Sequence, residues 1–263
     1  MSIKIISDIH GAFPALAEQL DPDDIAILLG DYVNLIDFQT LEGILADVYS
    51  REEVAEALSI FGKGTSALRE AAKKRIRDIM GSDPAKAARI GELVLESYKE
   101  LFASIPCRAY MIYGNTDNPH MVRNLADGNV EIIETGVVEI EGQRFGFISG
   151  SPHGPWTVGL PGEMNIEEYD RRVRDLGPVE VLCTHYPPAV PALTFDTCAD
   201  RDEAGSASLL EYIEEHSPTY HYFGHVHHPR VTSERLGSTC LVNVGFFREH
   251  RTAVVHPASC GPT

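Results

Sequence analysis

The order of apolar and polar positions predicts short buried strands that alternate with amphipathic helices. Residues 3–6 are mostly β-branched, and residues 25–29 form an apolar run without a polar interruption, as in strands that are covered on both faces. Between them, the apolar positions 13, 16, 17 and 20 share one face of a predicted helix. A strand, a helix and a second strand in this order predict a parallel pair with a right-handed crossover.

Residues 38–104 carry a different pattern, because they are charged and helical over a long stretch. Apolar residues recur at helical spacing in several stripes, and Ser82-Asp83-Pro84 is a typical cap-then-proline start for the last helix. A segment of this length between two strands exceeds the usual crossover. We therefore predict a helical insertion within a single domain that covers residues 1–263.

The rest of the chain returns to short strands and defines the fold class as α/β. We predict strands at residues 108–113, 130–133, 137–140, 145–149, 179–183, 220–223, 231–234, 240–244 and 252–256. Helices are predicted at residues 166–176 and 206–215, and a loop rich in glycine and proline at residues 150–162.

Composition and charge narrow the range of partners. The hydrophobic fraction of 43% and the charged fraction of 23% are ordinary for a globular protein. The formal net charge of −17 argues against duplex nucleic acid and against an anionic membrane surface as partners. A small phosphorylated molecule is compatible with this charge, because bound metal cations would reverse the local field.

The cysteines and the N-terminus lead us to expect a cytoplasmic protein. There are five cysteines, none in a CxxC pair, and Cys107, Cys183 and Cys240 lie in or beside apolar strands, as buried free thiols do in a reducing compartment. The first six residues are too short for a secretory signal and lead directly into the first strand. No apolar stretch reaches the length of a transmembrane helix.

Polar residues of the metal-ligand type follow five of the predicted strands. They are Asp8 with His10, Asp31, Asn115, His185, and His225 with His227. Each residue alone has an ordinary structural explanation, such as a helix cap or a turn. The carboxyl ends of strands in an α/β sheet meet at one edge, however, and ligands bind there. Together these carboxylates, imidazoles and an amide therefore predict a site for divalent metal ions.

The same residues resemble the calcineurin-like metallophosphoesterase family. The matching pieces, in the family's order, are Asp8-Ile9-His10, Gly30-Asp31, Gly114-Asn115, His185 and Gly224-His225-Val226-His227, with Asn243-Val244-Gly245 as a similar late turn. The resemblance implies a four-layer α/β/β/α sandwich with two mixed sheets.

The resemblance also implies a centre of two divalent ions, which would be Mn, Fe, Zn or Ni. Asp8, His10 and His227 would hold one ion. Asn115, His185 and His225 would hold the other, and Asp31 would bridge both. The implied activity is hydrolysis of a phosphomonoester or phosphodiester by a hydroxide that the two ions generate.

The sequence departs from the family pattern at Thr116, where many members have a histidine. The resemblance is thus to a branch that lacks this histidine. His153, in the glycine-rich loop, is the first candidate for the catalytic acid in its place, with a loop residue that has no role as the equally weighted alternative, and His120 is the weaker candidate. Asp117, which follows Thr116, is also assigned to the catalytic group.

Further residues are expected around the substrate. Tyr32 and Asn34 follow Asp31 closely and, with Asn115, are predicted to bind substrate. His228 is expected in an outer position or at the surface. The insertion carries a basic run, which is either a solvated helix face or a lid that selects a phosphorylated substrate; its members are Arg69, Lys73, Lys74, Arg75 and Arg77.

Two other functions are compatible with such a fold. A non-catalytic scaffold for protein binding is the main alternative, but every predicted metal position is filled, which favours an enzyme. A nuclease of the same superfamily is disfavoured by the acidic charge and by the lack of a basic tract interleaved with aromatic residues. A homo-oligomer remains open at this stage.

Overall fold

The computed structural model describes residues 1–37, 39–59, 70, 73–74, 83–126, 128–154, 157 and 159–261, and omits the side chains of residues 57–59. The strands are β1 (Ile3–Ile6), β2 (Ile25–Leu28), β3 (Arg108–Met111), β4 (Val130–Ile132), β5 (Thr135–Ile140), β6 (Gln143–Ile148), β7 (Ser151–Pro152), β8 (Glu163–Met164), β9 (Val181–Thr184), β10 (Phe195–Asp196), β11 (Arg201–Asp202), β12 (Tyr220–Phe223), β13 (Ser233–Leu236), β14 (Thr239–Asn243) and β15 (Val254–His256). The helices are α1 (Phe13–Gln19), α2 (Ile44–Val48), α3 (Arg51–Ser59), α4 (Pro84–Ala103), α5 (Pro119–Leu125), α6 (Ile166–Asp175), α7 (Pro191–Thr194), α8 (Ala207–His216) and α9 (Phe247–His250).

Two mixed sheets form the centre of the fold. The first has the order β15-β1-β2-β3-β4, in which β15 is antiparallel to β1 and the other neighbours are parallel. The second has the order β13-β14-β12-β9-β6-β5, with parallel pairs in its middle and an antiparallel pair at each edge. Helices cover the outer faces, so the predicted four-layer sandwich is confirmed.

Alternation along the strands divides the apolar residues between the layers, as the period of two requires. Ile5 and Ile27 pack between the sheets against residues of the second sheet such as Phe147. Their neighbours Ile6 and Leu28 instead pack outward in a cluster with the helices. Both faces of these strands are therefore buried, which explains their continuous apolar sequence.

Helices from separate parts of the chain build the outer layers. Leu16 of α1 and Tyr98 of α4 are buried against the first sheet, and Tyr169 of α6 and Leu209 of α8 are buried against the second. The helix α4 begins at the predicted cap, where the Asp83 side chain accepts hydrogen bonds from two backbone amides of the first turn.

The segment between β2 and β3 contains the described helices α2, α3 and α4. Its assignment as an insertion remains a prediction. Of the predicted basic run, only Lys73 and Lys74 lie within the described residues, and Lys73 forms an ion pair of 2.9 Å with Glu70. Among the residues that the structure describes, no helix combines the length and the apolar character that crossing a bilayer needs.

The cysteines differ from the prediction at one position. Cys107 and Cys183 are buried free thiols, and Cys198 is an exposed one. Cys240 is instead bonded to Cys260, with Cα atoms 5.7 Å apart, so the prediction of a free thiol at Cys240 is wrong. The sequence did not reveal the pairing, because it depends on the C-terminal tail crossing the second sheet, where Ala258 binds the hydroxyl of Tyr222.

Thiol titration tests this pairing. In the folded protein without reductant, we expect one rapidly reacting thiol, that of Cys198, because Cys107 and Cys183 are buried. Unfolding without reductant should raise the number to three, and unfolding with reductant to five. The variant Cys198→Ser should lose the rapid reaction alone. Five reactive thiols without reductant would contradict the disulfide.

Candidate metal centre

The carboxyl ends of the two sheets meet at one place, and the predicted ligands lie there. Asp8, His10, Asp31 and Asn115 come from turns of the first sheet, and His185, His225 and His227 from turns of the second. The backbone N–H of His225 donates to Asp8 Oδ2 at 3.0 Å, which joins the two sheets directly. Residues far apart in sequence thus share one buried site.

The turns that carry these side chains have an unusual backbone. Positive φ angles occur at Asp8 (54°), His10 (40°), Asp31 (56°) and His225 (69°). Non-glycine residues in this region carry strain, which persists where the surrounding structure enforces it and is concentrated at functional sites. At Gly224, a Cβ atom would collide with the side chains of Ser7 and Asp8, so only glycine permits this close approach of the sheets.

Asp8, His10 and His227 form the first ligand group. Asp8 Oδ1 lies 3.4 Å from His227 Nε2 and 3.9 Å from His10 Nε2, and the donor atoms of the three residues lie within 4.8 Å of one another. The ring of His227 stacks on Phe246, with centroids 4.0 Å apart and planes 4° apart. This stacking fixes the plane of the imidazole.

Asn115, His185 and His225 form the second ligand group. Asn115 Oδ1 lies 2.9 Å from His185 Nε2 and 2.9 Å from His225 Nδ1. Asp31 lies between the two groups, because its Oδ2 is 3.5 Å from His185 Nε2 and 3.9 Å from His10 Nε2. The spatial order of the ligand atoms is thus compatible with a bridging role for Asp31.

In the second ligand group, several acceptor atoms face one another, and no hydrogen atom lies between them. His185 Nδ1 lies 2.9 Å from the carbonyl oxygen of Leu29 and must carry the N–H, since a carbonyl only accepts. In a neutral ring, Nε2 then presents a lone pair to the oxygens of Asn115 and Asp31, which are also acceptors. Burial lowers the pKa of His185 and so favours the neutral ring. A bound cation would satisfy all three atoms at once.

The first ligand group also contains buried acceptor atoms that a cation would satisfy. Burial lowers the pKa of His10 to about 4. His10 Nε2 and Asp8 Oδ1 are buried and have no hydrogen-bond partner among the described residues. Burial would raise the pKa of Asp8, but the contact with His227 and the neighbouring imidazoles outweigh it and hold the pKa below its usual value. The residues present therefore fit divalent metal ions.

The structure corrects the assignment of Asp117 to the catalytic group. Its side chain is fully buried, and Oδ2 accepts from the backbone amides of Asp31 and Gly114, both at 2.8 Å. Oδ1 accepts from the amide of Tyr32 at 3.1 Å and from the hydroxyl of Tyr98 at 3.2 Å. Because Asp117 binds both strand-end turns and has no exposed surface, it is placed to position Asp31 and not to contact a substrate.

The predicted contact of Tyr32 with substrate is also corrected. Tyr32 is 0% exposed, and its hydroxyl points to the carbonyls of Leu28 and Ile112 beneath the site. Asn34 differs, because it is only half-buried and lies beside Gly11, where an added Cβ would be 3.6 Å from Asn34 Cβ. Asn34 therefore stays a candidate for substrate binding.

The remaining candidates lie around the ligand groups. His153 is exposed and lies in a loop that returns against the turn at Gly114 and Asn115, where Gly162 packs closely. His120 is exposed on α5. His228 is half-buried, with Nε2 2.9 Å from Glu249 Oε2, in agreement with its expected outer position.

Thr116 stands where the family histidine was expected. Its backbone N–H donates to Asp31 Oδ1 at 3.0 Å, and its buried hydroxyl oxygen has no hydrogen-bond partner among the described residues. The residue thus fixes the Asp31 carboxylate through the main chain, while its side chain has a free hydrogen-bonding capacity.

Three residues near the site were missed by the sequence analysis. Phe246 stacks on His227, Arg248 Nη1 donates to the carbonyl oxygen of His10 at 2.8 Å, and Glu203 Oε2 lies 3.8 Å from His225 Nε2. The first two follow the predicted Asn-x-Gly turn, which was the available signal. Glu203 lies in an irregular acidic loop, where no pattern distinguishes it from its neighbours.

No protein-family profile matches the chain, and no curated protein does. Among solved structures, TT1561 of Thermus thermophilus is 14% identical over 96% of this chain and 96% of its own, with a TM-score of 0.52. An archaeal phosphodiesterase is 14% identical over 95% and 87%, with a TM-score of 0.40. AQ665 from Aquifex aeolicus, a protein of unknown function, is 14% identical over 97% and 95%, with a TM-score of 0.41. The likeness to TT1561 shows a shared fold.

Replacing Asp117 with Asn tests its positioning role. The side-chain NH₂ of Asn would face backbone N–H groups, so that two donors meet at a buried position. We therefore expect the free energy of unfolding to fall by about 1–3 kcal/mol. Urea unfolding followed by circular dichroism measures this loss. The matched control is Asp21→Asn, whose side chain is 81% exposed and whose replacement should change stability little. Equal stability of both variants would contradict the role of Asp117.

Proposed function

We propose that this protein is a metal-dependent phosphoesterase that hydrolyses a small phosphomonoester or phosphodiester. Two divalent ions of Mn, Fe, Zn or Ni would occupy the centre. Asp8, His10 and His227 would hold one ion; Asn115, His185 and His225 would hold the other; Asp31 would bridge them. These ligands are the oxygen and imidazole donors that such metals prefer.

One observation carries the proposal, namely the convergence of acceptor atoms from both sheets. His185 Nε2 lies 2.9 Å from Asn115 Oδ1 and 3.5 Å from Asp31 Oδ2, while its own N–H is bound to Leu29. A buried arrangement of lone pairs is costly unless a cation compensates it. A protein scaffold without metal would have no need for it.

The chain's own residues orient the reacting groups. When bound, a pair of divalent ions supplies charge that polarises a phosphate ester and a water that ionises near neutral pH. Asp117 and the Thr116 backbone hold Asp31 in place. Asn34 and Asn115 would contact the substrate from the first sheet. His153, exposed on the neighbouring loop, would protonate the leaving oxygen.

Metal content and hydrolysis test the proposal together. After removal of metal with a chelator and reloading with Mn²⁺, we expect two ions per chain and turnover of an aryl phosphodiester or an aryl phosphomonoester. Asp31→Asn should reduce both metal content and turnover, because the carboxylate lies between the ligand groups. The control is Asp175→Asn, whose side chain is 64% exposed and paired with Arg171.

The outcomes separate the two main functions. Two bound ions with turnover that disappears on chelation support the phosphoesterase. Bound metal without turnover of either ester would contradict the hydrolytic function and favour a metal-stabilised scaffold. A protein that binds no ion after reloading would contradict the metal centre itself.

The variant His153→Ala tests the catalytic acid. A general acid donates its proton to the leaving oxygen, so its removal should slow the chemical step. In the variant, we expect kcat to fall about 100-fold or more and the pH–rate profile to change. His120→Ala is the comparison on the exposed helix α5. An unchanged kcat and pH profile for His153→Ala would refute its role.

A further inference from the structure

Glu203 lies beside the second ligand group and has no part in the ligand set proposed above. Its Oε2 is 3.8 Å from His225 Nε2, and the residue is buried. The opposite nitrogen of the same ring, His225 Nδ1, lies 2.9 Å from Asn115 Oδ1. The imidazole of His225 is therefore placed between a carboxylate on one side and the ligand atoms on the other.

We propose that Glu203 is a positioning residue for metal binding: its carboxylate faces the Nε2–H of His225, keeps the proton on that nitrogen, and so leaves the Nδ1 lone pair facing the ion. The inference rests on the proposed metal centre. A neutral imidazole carries one N–H, so an acceptor at one nitrogen determines which nitrogen has the lone pair. Carboxylates and carbonyls hold metal-binding histidines in this way and raise their basicity.

The other histidine of the group supports this interpretation. His185 uses Nδ1 to donate to the carbonyl of Leu29 and turns Nε2 toward Asn115. His225 instead turns Nδ1 toward the same oxygen. The two histidines therefore present different ring nitrogens to Asn115. Each ring needs an acceptor on its far side, and Glu203 is the carboxylate placed there for His225, at an ion-pair distance of 3.8 Å.

The fold holds Glu203 where this role requires it. Its backbone N–H donates to the carbonyl of Thr194 at 3.0 Å, and its own carbonyl accepts from the Tyr186 hydroxyl at 2.7 Å. Arg201 Nε binds Oε1 at 2.6 Å, which leaves Oε2 directed to His225. Tyr186 also packs on the imidazole, with ring centroids 4.9 Å apart. The competing explanation is that Glu203 only neutralises Arg201.

Calorimetric titration of the metal-free full-length protein with Mn²⁺ separates these explanations. The His10→Ala background removes a ligand of the first group, so that the titration reports the ion of the second group. In this background, Glu203→Ala should weaken Mn²⁺ binding about 10- to 100-fold. In a His185→Ala background, the ion of the first group is measured, and the same substitution should leave its affinity unchanged. Glu203→Gln keeps an acceptor oxygen and should retain affinity within a few-fold.

The chain offers a matched control in Glu249, whose Oε2 lies 2.9 Å from Nε2 of His228, a histidine outside the ligand groups. Glu249→Ala should leave both affinities unchanged. NMR of ¹⁵N-histidine in the Zn²⁺-loaded protein supplies an independent signature. We expect His225 to carry its proton on Nε2 and the metal on Nδ1 in the native protein, and to lose this defined state in Glu203→Ala.

The possible results distinguish the positioning role of Glu203 from the metal centre and from the hydrolytic function. Unchanged affinity in Glu203→Ala, or equal weakening in both backgrounds, overturns the positioning role while the metal centre stands. A native protein that binds no Mn²⁺ overturns the metal centre and this inference with it. Two bound ions with no ester hydrolysis overturn only the hydrolytic function, and selective weakening in Glu203→Ala would still support the role of Glu203.

Discussion

The structure depends on bringing acceptor atoms together at a buried junction between two sheets. Asp8 and Asp31 contribute carboxylates, Asn115 contributes an amide oxygen, and the imidazoles contribute lone pairs. Arg248 directs its guanidinium to the carbonyl of His10 and lies 3.8 Å from Asp37 and 3.6 Å from Glu42. The divalent ions proposed above would supply the positive charge that compensates these acceptors, and their binding would stabilise the junction.

The backbone around the junction is shaped by this requirement. Positive φ angles at Asp8, His10, Asp31 and His225 turn side chains inward at a cost in conformational energy. Backbone hydrogen bonds across the turns offset that cost. Asp117 alone binds three amides of the neighbouring turns, and its pKa is raised to about 7 by burial and by the charge of Asp31. A bound cation near Asp31 would relieve the repulsion between these carboxylates.

The convergence of the candidate ligands was predictable from the sequence, because they follow strands with a clear apolar pattern and strand ends in α/β sheets meet by geometry. The sequence could not predict the direction of each neighbouring side chain. Tyr32 follows Asp31 directly, yet it turns into the core, because the conformation of the turn and not the spacing decides its direction. Glu203 and the bond between Cys240 and Cys260 depend on loops and a tail whose paths are set by tertiary packing. Local pattern thus predicts donors at strand ends better than the groups that orient them.

Two segments from separate parts of the chain lie near the first ligand group. Asp37 and Glu42 pair with Arg248, and the segment of residues 196–199 lies against His228, whose carbonyl accepts from the backbone N–H of Thr197. The two segments meet where Gln39 Nε2 donates to Cys198 Sγ at 2.8 Å. His227 keeps only 30% of its side chain exposed beside them. The net charge of −17 accords with the small phosphate ester proposed above as substrate, since a nucleic-acid duplex needs a broad basic surface for its phosphate backbone.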